Sequence, residues 1–200
     1  MNKSIVTVAL ASSVAAFSAS AMSQQGNYQA PAPTYEFGKV YYFNQSVSAS
    51  DLTLKGAGAE AEFLINEQIF ITGNYRTGDD TDSFGNKFKA RNWEAGVGTF
   101  HRVNPTTTLD LTLLGGQSKG DVDAVDYFSV RVGARKRFTE LFEVGAAYRF
   151  YDYSSDAQVS SENTFEVFGK YHFDPNFSFD IKYNTFDFGN MITVGLAYHF

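Results

Sequence analysis

From Tyr35 to the last residue, apolar and polar side chains alternate along the chain with a period of two. Successive side chains of a β-strand point to opposite faces of the sheet, so this alternation predicts strands with one apolar and one polar face. The alternation is clearest over 128–134, 142–150, 165–173, 177–183 and 192–200. It recurs with more exceptions over 57–63, 69–75, 93–99 and 109–113. These nine segments indicate an all-β protein.

A tenth segment, 35–44, is aromatic and β-prone, but its two faces are harder to tell apart. Lys39 falls on the face that carries Phe37 and Tyr41. We count this segment as a strand because an even number of strands returns both chain ends to the same side of the sheet. The prediction is therefore ten antiparallel strands. Eight strands, with two segments merged or discarded, is the alternative.

The connections between these segments are of two kinds. Short connections near 66–67, 104–106, 139–140 and 174–176 alternate with longer polar ones near 45–53, 77–89, 117–125, 152–162 and 185–190. A strict alternation of short and long connections is typical of outer-membrane barrels, which have tight periplasmic turns and longer external loops. A soluble β-sandwich has no requirement for it.

The two faces of the strands favour a lipid-facing barrel over a soluble core. Opposite charges lie at mid-strand on the polar face, at Glu60, Glu94, Arg131, Arg149, Glu166 and Lys182. Aromatic residues gather at the two ends of the apolar face, as expected at the two interfaces of a bilayer. A sheet in lipid must also close on itself, since an open edge leaves backbone groups unsatisfied. The predicted fold is a closed antiparallel transmembrane β-barrel.

The first 21 residues have the pattern of a secretory signal peptide. Lys3 provides the positive start, an apolar stretch runs from Ile5 to Phe17, and Ala19-Ser20-Ala21 matches the small-x-small cleavage pattern. We expect cleavage after Ala21, a flexible polar lead-in over 22–33 and the barrel domain over 34–200. The expected location is the cell outer membrane.

Composition excludes several other classes of protein. The chain has no cysteine, which excludes a disulfide framework and a thiolate metal site. Its formal net charge of -6 argues against a nucleic-acid partner. We expect no metal site and no cofactor.

The C-terminal end resembles the signal that the barrel-assembly machinery reads on outer-membrane proteins. Val194, Leu196, Tyr198 and Phe200 place apolar residues at alternating positions up to a terminal aromatic. The chain as a whole resembles the OmpX/Ail and OmpA-transmembrane group, in pattern rather than through a diagnostic motif. That group has eight strands, whereas we count ten here, and no peptidoglycan-binding domain is expected after the barrel. The resemblance implies an outer-membrane barrel, with adhesion or permeation as a weaker implication.

The charges predicted for the lumen are balanced in sign. Seven are acidic, at Glu60, Glu62, Glu94, Asp110, Glu143, Glu166 and Asp180, and seven are basic, at Arg76, Arg102, Arg131, Arg135, Arg149, Lys170 and Lys182. Buried charges must be paired, so this balance favours ion pairs that close a narrow lumen. We therefore expect a structural or surface-interaction role. The alternative is a narrow porin-like channel for small solutes or ions, whose lining would more naturally favour one sign of charge.

No enzyme activity is predicted. His101, His172 and His199 all lie near short turns or the C-terminus, and no predicted external loop contains a histidine that would activate a nucleophile. The external loops are acidic, which keeps them hydrated; divalent cations bridging them to lipopolysaccharide phosphates are the alternative. The expected partners are outer-membrane lipid and lipopolysaccharide, with the assembly machinery during biogenesis, and we expect a monomer.

Overall fold

The alternating segments form ten antiparallel strands in the computed structural model, which describes residues 31–48, 52–81, 87–120, 124–154 and 160–200. The strands are β1 (Phe37–Val47), β2 (Thr53–Leu64), β3 (Ile69–Thr81), β4 (Lys87–Asn104), β5 (Thr107–Lys119), β6 (Ala124–Arg137), β7 (Phe142–Tyr153), β8 (Ser161–Asp174), β9 (Phe177–Phe186) and β10 (Gly189–His199). The prediction of ten strands is confirmed, and the alternative of eight is wrong. Within the described ranges, no helix is long and apolar enough to cross a membrane.

The sheet closes into a barrel through its first and last strands. Each strand pairs with its neighbours along the chain, and β1 also pairs with β10 from Phe37 opposite His199 to Val47 opposite Gly189. Closure leaves no strand edge, so every strand pairs on both sides, which a barrel in hydrocarbon requires. The register of β1 also explains its unclear pattern. Lys39, Phe37 and Tyr41 are buried together on the inner face, whereas Val40 and Tyr42 point outward.

The connections gather at two ends of the barrel. At the turn end, β2 joins β3, β4 joins β5, β6 joins β7 and β8 joins β9; at the loop end, β1 joins β2, β3 joins β4, β5 joins β6, β7 joins β8 and β9 joins β10. The connections at the loop end are shorter than the sequence pattern indicated, because the strands continue into the polar segments. The prediction of a long loop over 185–190 is wrong, since a two-residue turn, Asp187 and Phe188, joins β9 to β10. Beyond an apolar belt, the outer side of a strand faces water and carries polar side chains. Both faces of the strand are then polar, so the sequence no longer alternates there.

The outer surface of the barrel is apolar around its middle. Exposed aliphatic side chains include Val40, Ile71, Val97, Leu111, Leu113, Val132, Ile181, Ile192 and Leu196. Exposed aromatic residues lie toward the loop end, at Tyr75, Trp93, Phe128, Tyr148 and Tyr183, and toward the turn end, at Phe63, Phe142, Phe173, Phe177 and Tyr198. A monomeric soluble protein rarely exposes an apolar area of this extent. An aliphatic belt between two aromatic girdles suits the hydrocarbon and the two interfaces of a bilayer.

Candidate functional site

The lumen contains a continuous series of ion pairs with alternating sign, which we call the lumen chain. In order, its members are Asp180, Lys39, Glu60, Lys182, Glu166, Arg131, Asp110, Arg135 and Glu62. They come from β1, β2, β5, β6, β8 and β9. The strands bring these residues together because each occupies an inward-pointing position of the period-two pattern. The arrangement pairs every charge in the series with at least one opposite charge.

One half of the lumen chain links β9, β1 and β2. The Lys39 Nζ lies 2.7 Å from the Glu60 carboxylate and 3.3 Å from that of Asp180. The Lys182 Nζ lies 3.5 Å from both Glu60 and Glu166. Two ammonium groups therefore share Glu60, and neither is left without a carboxylate in the low-dielectric interior.

The other half of the lumen chain crosses the barrel. Arg131 donates to Glu166 at 2.9 Å and to Asp110. Arg135 holds Glu62 through two nitrogen–oxygen contacts of 3.0 Å each, a bidentate geometry that fixes both side chains. Because β6 and β2 are four positions apart in the ring of ten strands, this pair extends across the interior.

Another ion pair, outside the lumen chain, lies closer to the loop end. Arg149 on β7 contacts Glu94 on β4 at 2.6 Å and also donates to Ser129 at 2.7 Å. Glu94 accepts a further hydrogen bond from Tyr127 at 2.8 Å. The structure thus places all six predicted lumen residues, Glu60, Glu94, Arg131, Arg149, Glu166 and Lys182, inside the barrel and in ion pairs.

Two lumen positions differ from the sequence analysis. Lys39 was absent from the predicted basic set, although its place among aromatic residues was the signal that this face points inward. Arg102 was included in that set, but it is exposed at the turn end, with its guanidinium 6.0 Å from the Phe100 ring. β4 ends at Asn104, so Arg102 lies too near the turn to enter the lumen. The predicted lumen position of Arg102 is therefore wrong.

An aromatic cluster lies inside the barrel at the turn end of the lumen, and we call it the plug. It consists of Tyr35, Phe70 and Phe100, which are all buried. Tyr35 precedes β1, and its ring stacks on Phe100 at 4.1 Å and lies 5.0 Å from the ring of Phe70. Its hydroxyl forms a 2.7 Å hydrogen bond with Thr108 on β5. The residue therefore reaches from the start of β1 across to the wall formed by β3, β4 and β5.

The lumen chain and the plug are joined by one residue. The Arg135 guanidinium lies over the Tyr35 ring, 4.1 Å from its centroid, while it holds Glu62. Such a contact between a cation and an aromatic face is favourable, more so when water is excluded. Tyr35 was read from the sequence only as the start of a strand, because its contacts come from strands that are distant in sequence.

Two of the three histidines, His172 and His199, are buried near the turn end. His199 contacts the Ser178 hydroxyl at 2.8 Å and the Thr34 hydroxyl at 3.0 Å. His172 is buried beside Glu143, whose other carboxylate oxygen lies 3.6 Å from Lys170. His101 is exposed. In the part of the chain that the structure describes, no group of three or more acidic, histidine or cysteine side chains is arranged to hold a metal ion.

Space remains in the lumen above the plug. A cavity of about 110 Å³ is bordered by charged residues of the lumen chain and by Thr164, Asn184 and Thr193. The side-chain oxygens of these three residues are buried without a protein hydrogen-bond partner. Because a cavity needs about 10–15 Å³ for each buried water, this one has room for several waters at polar sites.

The residues of the expected assembly signal all point outward. Val194, Leu196, Tyr198 and Phe200 are between 37% and 61% exposed. Phe200 stacks against Phe63 of β2 at 5.2 Å, next to the seam between β1 and β10. Recognition by the assembly machinery stays a prediction.

The barrel is similar to solved outer-membrane channels. They include a NanC porin (9% identity, TM-score 0.56, covering 82% of this chain and 100% of that one) and a KdgM porin (10% identity, TM-score 0.51, covering 82% and 99%). A third is an outer-membrane channel from Pseudomonas putida F1 (9% identity, TM-score 0.51, covering 88% and 99%). No protein-family model and no curated protein matches the chain. The likeness is one of fold. Membership of the OmpX/Ail and OmpA-transmembrane group stays a prediction.

Proposed function

We propose that this protein resides in the outer membrane as a barrel with a closed lumen, and that its role is structural or one of surface interaction. The observation that carries the proposal is the continuous crossing of the lumen by the lumen chain and the plug. Arg135 joins the two, so ions would have to displace several buried contacts to pass. The apolar exterior supports the location.

The contacts that we propose with the membrane follow from the outer surface of the barrel. The apolar belt supports contact with membrane lipid, and the acidic residues at the loop end support cation-bridged contact with lipopolysaccharide. We propose that the barrel is a monomer, since the sheet closes without a second chain. The role is not enzymatic in this proposal, because each charged group of the lumen chain is held in an ion pair with a neighbour.

A narrow channel for small solutes or ions is the second candidate. The cavity between the ion pairs favours it, because the unpartnered oxygens of Thr164, Asn184 and Thr193 border a polar space. In this alternative, the side chains of the lumen chain move aside or exchange partners as a solute passes.

Conductance of the refolded protein in planar bilayers separates the two candidates. The closed barrel predicts no current steps for the natural chain. The double variant Tyr35→Ala/Arg135→Ala removes the Tyr35 ring from the plug together with its link to the lumen chain. It leaves Glu62 without its cationic partner and Asp110 with Arg131 alone. We expect this variant to conduct with a preference for cations, as acidic linings do.

The matched control replaces a tyrosine and an arginine that lie outside the lumen. Tyr42 is 51% exposed on β1 and Arg91 is exposed on β4, so Tyr42→Ala/Arg91→Ala is expected to stay silent. Reproducible steps from the natural chain would contradict the closed lumen and support the narrow channel. A silent Tyr35→Ala/Arg135→Ala variant would show that the plug is not what closes the barrel.

A further inference from the structure

The loop end of the lumen contains a second space, which we call the vestibule. It has a volume of about 150 Å³, and its lining includes Arg76, Asn92, Tyr127, Tyr151, Tyr153 and Glu162. It lies above the Arg149–Glu94 pair, to which Tyr127 is hydrogen-bonded. Unlike the charges of the lumen chain below, its arginine and its glutamate form no ion pair with each other or with another described residue.

Arg76 on β3 is a cation without a carboxylate partner among the residues that the structure describes. Its guanidinium lies 3.0 Å from the Met191 sulfur and 5.9 Å from the centroid of the Phe43 ring. Thioether sulfur is a weak acceptor, so the guanidinium keeps most of its capacity to bind an anion. A planar guanidinium is suited to hold a carboxylate through two parallel hydrogen bonds.

Glu162 on β8 is the opposite charge on the opposite wall. Strands β3 and β8 are five positions apart in the ring of ten, in either direction. The Glu162 carboxylate accepts a hydrogen bond from the Tyr153 hydroxyl at 2.9 Å. Among the described residues, no lysine, arginine or histidine lies within ion-pair distance of it. The vestibule thus separates one positive and one negative group across its width.

Three tyrosines form one side of this space. Tyr151 and Tyr153 stack at 5.9 Å, and Tyr127 meets them edge-on at 5.4 and 5.8 Å. Aromatic faces attract ammonium groups, and a carboxylate beside them adds to that attraction. Tyr153 is hydrogen-bonded to Glu162, so the aromatic faces and the acidic group lie on the same side of the vestibule.

We propose that the vestibule binds a small zwitterion, a molecule with a carboxylate at one end and an ammonium group at the other. The carboxylate pairs with Arg76, and the ammonium group lies at Glu162 and the tyrosine faces. A ligand with a single charge pairs with either Arg76 or Glu162 and leaves the other residue unpaired. Tight binding therefore needs both charges on the ligand. This site does not depend on whether the lumen conducts.

Calorimetric titration of the refolded barrel in detergent micelles tests the proposal with three probes of similar size. They are 4-aminobutyrate, which carries both charges, butyrate, which carries the carboxylate alone, and butylammonium, which carries the ammonium group alone. We expect 4-aminobutyrate to bind about tenfold or more tightly than either analogue, since one charge-assisted contact contributes about that factor.

Variants of the two walls identify the site. Arg76→Gln and Glu162→Gln are each expected to weaken the binding of 4-aminobutyrate about tenfold. Arg91→Gln and Asp152→Asn remove exposed charges outside the vestibule and serve as controls. Migration of the unboiled protein on a detergent gel shows that each variant is folded. Equal binding of the three probes, no binding by any of them, or no effect of the wall variants would overturn the proposal.

Discussion

Arg131 contacts two carboxylates at once, and for each of them it is the nearest cation of the lumen chain. It contacts Asp110 and Glu166, whose other cationic contacts are longer, at 3.6 Å from Arg135 and 3.5 Å from Lys182. Removing one member of a buried ion pair leaves the other charge without compensation.

We predict that Arg131→Gln lowers the free energy of unfolding by about 3 kcal/mol. Urea unfolding of the refolded barrel measures it, with Arg91→Gln as the control because Arg91 is exposed at the loop end. A change no larger than about 0.5 kcal/mol, typical of a surface substitution, would show that the ion pairs do not hold the lumen together.

Some residues of the lumen can be predicted from the sequence and others cannot. The six mid-strand charges were predictable because period-two alternation assigns each a face. Lys39 and Tyr35 were not, since their strand segment carries aromatic residues on the inner face as well. Contacts such as that of Tyr35 with Thr108 depend on the closure of the sheet, which no local pattern contains.

At the level of elements, the strands are predicted better than their ends. Nine strands follow from alternation, and the tenth follows from the need for an even number. The predicted strand ends are wrong because hydrogen bonding between strands continues past the apolar belt. Polar residues such as Asp79 in β3 and Lys89 in β4 therefore belong to strands. The turn at Asp187 and Phe188 is the extreme case, because Thr185, Asp187, Gly189 and Asn190 have the composition of a loop while both strands reach the turn.

Glycine positions on the inner faces of strands make room for the plug. A Cβ atom at Gly98 on β4 would lie 2.2 Å from the Cζ of Phe70. We predict that Gly98→Ala displaces Phe70 and lowers the free energy of unfolding by about 1–3 kcal/mol, the usual cost of overpacking. Gly115→Ala on β5 is the control, because a Cβ there meets nothing within 4 Å. Equal unfolding midpoints in urea for both variants would contradict this packing.

The whole molecule is arranged in the opposite way to a soluble protein, with charges inside and apolar groups outside. We predict that Val132→Arg, in the middle of the apolar belt, costs about 2–4 kcal/mol in lipid vesicles, whereas Val103→Arg near the turn end costs about 0–1 kcal/mol. Both valines are 55% exposed, so the comparison changes the depth of the substituted residue at equal exposure. Equal unfolding free energies for the two variants would argue against a hydrocarbon layer around the barrel.

Trp93 provides the most direct measurement of this arrangement. It is the one tryptophan of the chain, and it is 50% exposed on the outer face of β4, toward the loop end. In vesicles, its fluorescence is predicted to be quenched by lipids brominated on the acyl chain near the headgroup, less by lipids brominated near the chain terminus, and little by iodide in the water. Strong quenching by iodide, with none by the brominated lipids, would contradict a barrel that faces lipid.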